Sequence, residues 1–307
     1  MIRALVIATL ATLATLATTA AADPVVEKSR VEVKPAAAPF KLLSIENPLG
    51  DIRVEGHDGT SIMIETHKRA PDEEALDRLR VSLVPSTDGT VRISTAADKG
   101  EGKKVSRSQV AIDVIIRAPR NARIDAIVGR GKLEVLNMDG GGELESASGM
   151  IDVRNVQGEL YTHSVSGRMS LSQVFGSLDA STVSSDLDLD SIQGQKVVAS
   201  ANQGKIAGRR VRARDIELTT TRGNISLEAE AAIHGRVVVS SLHGDVDVKL
   251  RRSGAVIVRG RGTKVDFGVA TQQQPSGWSQ ATIGQGQDPA IVELRSQHGI
   301  VRFAIVQ

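Results

Sequence analysis

Three aspartates at alternate positions, Asp186, Asp188 and Asp190, form the densest acidic spot in the sequence. Alternate residues of a strand share a face, so these carboxylates would stand in one row. Asp152 lies further upstream, with Arg154 and Arg168 between. Gathered carboxylates can hold calcium, and a basic residue beside them can accept a proton. That is the equipment of a polysaccharide lyase on a β-helix. The comparable outward positions also carry Lys132, Lys205 and Arg209, and no charge recurs from copy to copy. Mixed charge is the ordinary outer face of a strand, whereas a catalytic site gathers perturbed groups at one point. The residues therefore nominate no catalytic, cofactor-binding or metal-binding site. A lyase-like carbohydrate-active enzyme stands as the alternative.

Other chemistries find less support. The six histidines, His57, His67, His163, His234, His243 and His298, are scattered, and no HExxH pair occurs. No Gly-x-Ser-x-Gly elbow is present. Gly140-Gly141-Gly142 sits at a turn rather than before a helix, so it does not read as a phosphate loop. The chain has no cysteine, which excludes disulfides, thiolate zinc sites and a lipoprotein anchor.

Composition narrows the class further. The 38 basic and 36 acidic residues are interleaved along the chain and give a net charge of only +2. A nucleic-acid binder shows a basic stripe instead. Aromatics are 2% of residues, too few for an aromatic-lined groove for sugars or single strands. The 29 glycines suit many tight turns.

A repeat organises most of the chain. Gly, any residue, aliphatic, polar, aliphatic recurs from Gly131, Gly149, Gly167, Ser185, Gly204, Gly223 and Gly244, at spacings of 18, 18, 18, 19, 19 and 21 residues. Thr263 opens a further copy, and Gly299 another 36 residues later. Each copy alternates with period two, the mark of a strand with one buried face. A corner phrase follows: Asn137-Met138-Asp139-Gly140, Asn155-Val156-Gln157-Gly158, Gln173-Val174-Phe175-Gly176 and Ser191-Ile192-Gln193-Gly194. It reads as one inward aliphatic and a glycine at positive φ. A third strand precedes each new copy. Its positions align as Leu160, Leu178, Val197, Ile216, Val237 and Val256, then Leu144, Thr162, Ala180, Ala199, Leu218, Val239 and Val258. A small or hydroxylic column ends it: Ser146, Ser164, Thr182, Ala201, Thr220, Ser241 and Gly260.

One copy cannot bury its own aliphatic row. Stacking equivalent rungs about 4.8 Å apart pairs each strand with its copies and builds continuous aliphatic columns. The expected fold is all-β, a parallel β-solenoid of roughly nine rungs rising about 43 Å. Leu133, Ile151, Met169, Leu187, Ile206, Ile225 and Val246 form one internal column. Solenoid repeats are expected over residues 121–307, with a loop insertion near 270–290 that holds the only tryptophan, Trp278. Residues 23–120 alternate without the period and read as a divergent N-terminal β-region capping the solenoid, with one short helix within 72–79. Residues 1–22 have a positive start, an apolar run and Ala20-Ala21-Ala22 before Asp23-Pro24, the layout of a cleaved signal peptide.

These phrases, Gly-Asp-Ile-x-Val, Asn-Val-x-Gly and Ser-x-Ser-Gly at this period, resemble the DUF4097 group of bacterial β-strand-repeat proteins, whose members carry the label of adhesins. The resemblance runs from about Ile45 to Phe303. It implies a right-handed β-helix (single-stranded) in an envelope or extracellular setting, with no established activity and no transferable functional residues. The expected function is that of a non-enzymatic, exported cell-envelope protein: an adhesin, a scaffold or a binding module. It is expected in the periplasm or secreted, with no cofactor, with an envelope protein or polysaccharide as partner, without nucleic acid, and with no membrane insertion after signal cleavage.

Overall fold

The computed structural model describes residues 24–35, 39–98, 108–252 and 254–306. The leader expected over 1–22 lies outside the described residues. The chain is a parallel β-solenoid whose rungs each contribute one strand to either of two faces. On the first face, Thr90–Ala97, Leu42–Asn47, Arg123–Val128, Gly142–Ser146, Leu160–Ser166 and Leu178–Ser184 follow one another in parallel. Segments 197–203, 216–222 and 237–243, then Ala290–Ser296 and Val256–Arg261, continue it. The second face runs in step from Ala111–Pro119 through Ile52–His57, Leu133–Met138, Ile151–Gln157 and Met169–Phe175. Segments 187–193, 206–213 and 225–231, then Val246–Arg252, Ile300–Val306 and Lys264–Asp266, complete it.

The repeat phrase sets the register. Leu133, Ile151, Met169, Leu187, Ile206, Ile225 and Val246 stand opposite one another in sequence, each at most 1% exposed. The same column extends down through Ile52 to Val114 and up to Val301. Full burial of each such side chain contributes about 1.5–3 kcal/mol, which is why a row that no single rung could hide is satisfied only by the stack.

The polar column at the first face's end is buried as well. Ser146, Ser164, Thr182, Ala201, Thr220 and Ser241 pair in register. Ser146 donates to Gly149 O at 2.8 Å, Thr220 to Gly204 O at 3.3 Å and Ser241 to Gly223 O at 3.1 Å. The column continues to Ser296, not to Gly260 as the repeat alignment had it. Gly260 lies opposite Leu294, and its missing side chain leaves room for the Phe267 ring. Val258, likewise, faces Val292 rather than extending the column of Val239. A two-residue slip keeps every aliphatic inward, so period two alone does not choose between these registers.

The corner meets expectation in part: Gly158 and Gly176 have φ of 95° and 152°. The polar residue that opens the phrase is left-handed as well, with φ of 51–58° at Asn137, Asn155, Gln173, Ser191 and Arg210. From Asn137 to Ser191 the ladder skips this residue on both paired strands without a change of register, and its left-handed backbone turns the strand at the corner. Asn155 Nδ2 donates to Asn137 Oδ1 at 2.8 Å, so the first two corners are tied by their amides.

Rung order departs from chain order at both ends. Residues 290–306 insert between the rung of 237–252 and that of 256–266. Residues 42–57 likewise lie between the rungs of 123–138 and 90–119. Antiparallel strands then finish the stack. Val25–Val33 and Ile62–Ala70 extend the second face, and Leu79–Pro85 extends the first. Ser279–Ile283, within the expected loop segment, pairs with Val256–Arg261 at the far end. A parallel edge left open would template pairing with other chains, and these strands cover it. The short helix is Glu73–Asp77, its first turn capped by the Asp72 carboxylate, which accepts from Ala75 N at 2.7 Å.

Candidate functional site

The acidic row and the basic residues singled out with it lie on the outer side of the second face or at the corner just before it. Asp152 lies opposite Ser170, and Ser170 opposite Asp188, so the two aspartates are two rungs, about 9.6 Å, apart along the wall. Asp152 is buried and is held by Arg154 at 2.8 Å and Lys132 at 3.1 Å. Lys132 also meets Glu134 at 2.9 Å, and Arg53 meets Glu134 at 2.7 Å. The hydrogen bond to Glu134 and the nearby Asp152 carboxylate raise the Lys132 ammonium's pKa against the opposing effect of burial.

The three-aspartate row is engaged residue by residue. Asp188 accepts from Arg168 Nε at 2.9 Å, a bond that raises the guanidinium's pKa. Asp186 accepts from the Lys205 backbone N–H at 3.0 Å, with Lys205 Nζ at 3.9 Å. Asp190 pairs with Arg210 at 2.5 Å. Each carboxylate thus has a cation of its own, and the four do not converge. Among the described residues no cluster of three or more His, Cys, Asp or Glu side chains could hold a metal ion. The histidines are equally dispersed: His67 bonds Glu65 at 2.6 Å, His163 bonds Ser181 at 2.9 Å, and His243 stacks on His298 at 4.5 Å.

A concavity of about 460 Å³ lies beside this row and was not legible as a site in the sequence. Its origin is a change at the corner. Through Arg210 the rungs carry the left-handed residue at this corner, whereas the next rung lacks it there: residues 208 to 211 oppose only 227 to 229. The wall therefore steps inward. Gly208 faces the core at this point, where a Cβ would meet Leu227 Cδ1 at 2.9 Å. Arg209, Arg210, Arg212 and Arg251 line the groove against Glu228 and Glu230. Arg210 is held by Asp190, and its Nε donates to Ser191 Oγ at 2.9 Å. Arg212 faces Glu230 at 3.7 Å. The available signal was the run Arg209-Arg210-Val211-Arg212, which breaks the corner phrase by replacing its glycine position with Ala213.

Stacked two-stranded rungs with buried aliphatic columns and a variegated polar wall define a β-solenoid repeat protein. The Toastrack DUF4097 family model matches residues 40–301, and the chain belongs to that family. No curated protein matches the sequence. Solved structures that it resembles include a candidate lipid-binding protein from Parabacteroides distasonis, at 12% identity over 90% of this chain and 96% of that one, with a TM-score of 0.42. A candidate adhesin from Bacteroides fragilis is 12% identical over 91% and 97%, with a TM-score of 0.39. A candidate cell adhesion protein from Clostridium sporogenes is 11% identical over 92% and 100%, with a TM-score of 0.32.

Proposed function

We propose that this protein is an exported, non-enzymatic module of the cell envelope that binds or scaffolds, in the periplasm or outside the cell. The observation that carries this reading is the state of the wall's carboxylates. Asp152, Asp186, Asp188 and Asp190 are each engaged by a cation from the same or a neighbouring rung. A general base must be able to accept a proton from substrate, and a carboxylate held by an arginine is a poor one. A stack of paired strands instead offers a rigid surface on which side chains keep fixed spacings. Export rests on the leader-like segment over residues 1–22. No helix among the described residues is long and apolar enough to cross a membrane.

Incubation of the purified chain beginning at Asp23 with polygalacturonate and alginate tests the non-enzymatic reading. No rise in the ultraviolet absorbance of unsaturated uronates above a protein-free control is expected. A protein-dependent rise that Asp188→Asn abolishes would establish the lyase instead.

A further inference from the structure

We infer that the step groove binds the carboxylates of an acidic polysaccharide, an identification that rests on the binding-module reading and gives it a ligand class. Four arginines and two glutamates line the groove, so its lining is net positive. Arg210 and Arg212 have acidic partners. Arg209 and Arg251 line the same groove with no carboxylate within 4.0 Å among the described residues, and both are exposed. A guanidinium stays charged at every physiological pH, and its planar fork matches a carboxylate bidentately.

The remaining lining selects among anions. An acyl chain needs a continuous apolar slot, but Ile192, Val211 and Ala229 are buried in the core, and Phe175 and Val306 are the apolar side chains left at the surface among four arginines and two glutamates. An extended peptide would bind by adding a strand, but the groove lies on a wall whose strands are paired on both sides. A single small anion is too short. Arg212 lies opposite Glu230, and Glu230 opposite Arg251, so the two arginines are two rungs, about 9.6 Å, apart. That span exceeds one sugar ring and suits carboxylates on alternate uronates of a polymer, with Glu230 between them to accept from hydroxyls. Gln173 and Gln193 add amides that can both donate to and accept from hydroxyls. Phe175, 42% exposed, offers one apolar face to a sugar ring. Recognition here runs through charge and amides rather than through aromatic platforms.

Calorimetric titration of the chain beginning at Asp23 with oligogalacturonate tests the assignment. Binding is expected, and it weakens as salt is raised. Arg209→Ala with Arg251→Ala weakens it by about tenfold or more, through loss of two charge-assisted contacts. Arg80→Ala, whose side chain pairs with Asp98 at the other end of the stack, leaves it unchanged. Circular dichroism identical to the parent verifies that each variant is folded. The inference is overturned if the parent chain does not bind, if the double variant binds equally well, or if methyl-esterified oligogalacturonate or polyglutamate binds as tightly. Mass spectrometry of the recovered oligomer separates the two readings. Intact oligomer without binding removes the ligand class and leaves the binding module standing. Bound oligomer recovered shortened removes the non-enzymatic reading and leaves the groove's ligand class standing.

Discussion

Replacing Ile151 by Asp should break the stack where replacing its outward neighbour Arg154 does not. Ile151 is fully buried between Leu133 and Met169. Truncation to Ala removes that packing and leaves a cavity, a loss of about 2–5 kcal/mol. The Asp variant loses the same packing and adds a carboxyl without a partner, a further cost of several kcal/mol. Burial raises that carboxyl's pKa, so the cost grows with pH by about 1.4 kcal/mol per unit from the unfolded-state value up to the raised folded one and is constant above it. The sum is comparable to the whole stability of a typical domain, about 5–15 kcal/mol. In a solenoid each rung is supported mainly by its neighbours, so the damage should be greatest in 133–138 and 169–175. Arg154 pairs with Asp152, which keeps Lys132 as a second partner, so Arg154→Ala should cost no more than about 1 kcal/mol. Urea unfolding followed by circular dichroism gives the ranking, and hydrogen exchange locates the loss. A parent-like midpoint for Ile151→Asp, or a larger loss for Arg154→Ala, would refute the inward column.

Two further predictions concern polar groups. Thr182 is buried with its hydroxyl unpartnered among the described residues, whereas Thr220 donates to Gly204 O at 3.3 Å. Thr182→Val should therefore be neutral or stabilising by up to about 1 kcal/mol, while Thr220→Val costs about 1 kcal/mol, both read as urea midpoints. The pH profile should have a plateau with two shoulders. Lys132 has a raised pKa, so its contribution is present below its unfolded value and is lost as pH rises through the folded value, above 10.5. The Glu65 pKa is lowered chiefly by a hydrogen bond to His67, and that of Asp88 by the Thr90 backbone N–H. Their contributions are present above the unfolded values and are lost as pH falls through the depressed folded ones. Melting temperature should therefore fall both in strong acid and above about pH 10.5, and a further rise past that point would contradict the Lys132 assignment.

Much of this architecture was legible because the repeat states it many times. The column from Leu133 to Val246 follows from one phrase read seven times, and period two fixes which residues of the phrase face inward. Three features were hidden for separate physical reasons. The last rungs misaligned at Val256 and Val258 because a shift of two residues preserves the inward set. Their order was hidden because every rung offers the same hydrogen-bonding edge, so the phrase carries no address for its neighbour. The groove was hidden because it arises from a difference between rungs: a three-residue step at Gly208–Val211 meets a two-residue step at Leu227–Ala229. The aspartate row was visible in the sequence, but the cations that hold it come mostly from neighbouring rungs and emerge only from the register.

An envelope role requires that the protein leave the cytoplasm. N-terminal sequencing of the native protein recovered from fractionated cells tests this most directly. The account predicts a chain that begins at Asp23 in the periplasmic or external fraction. A chain beginning at Met1 and confined to the cytosol would contradict it.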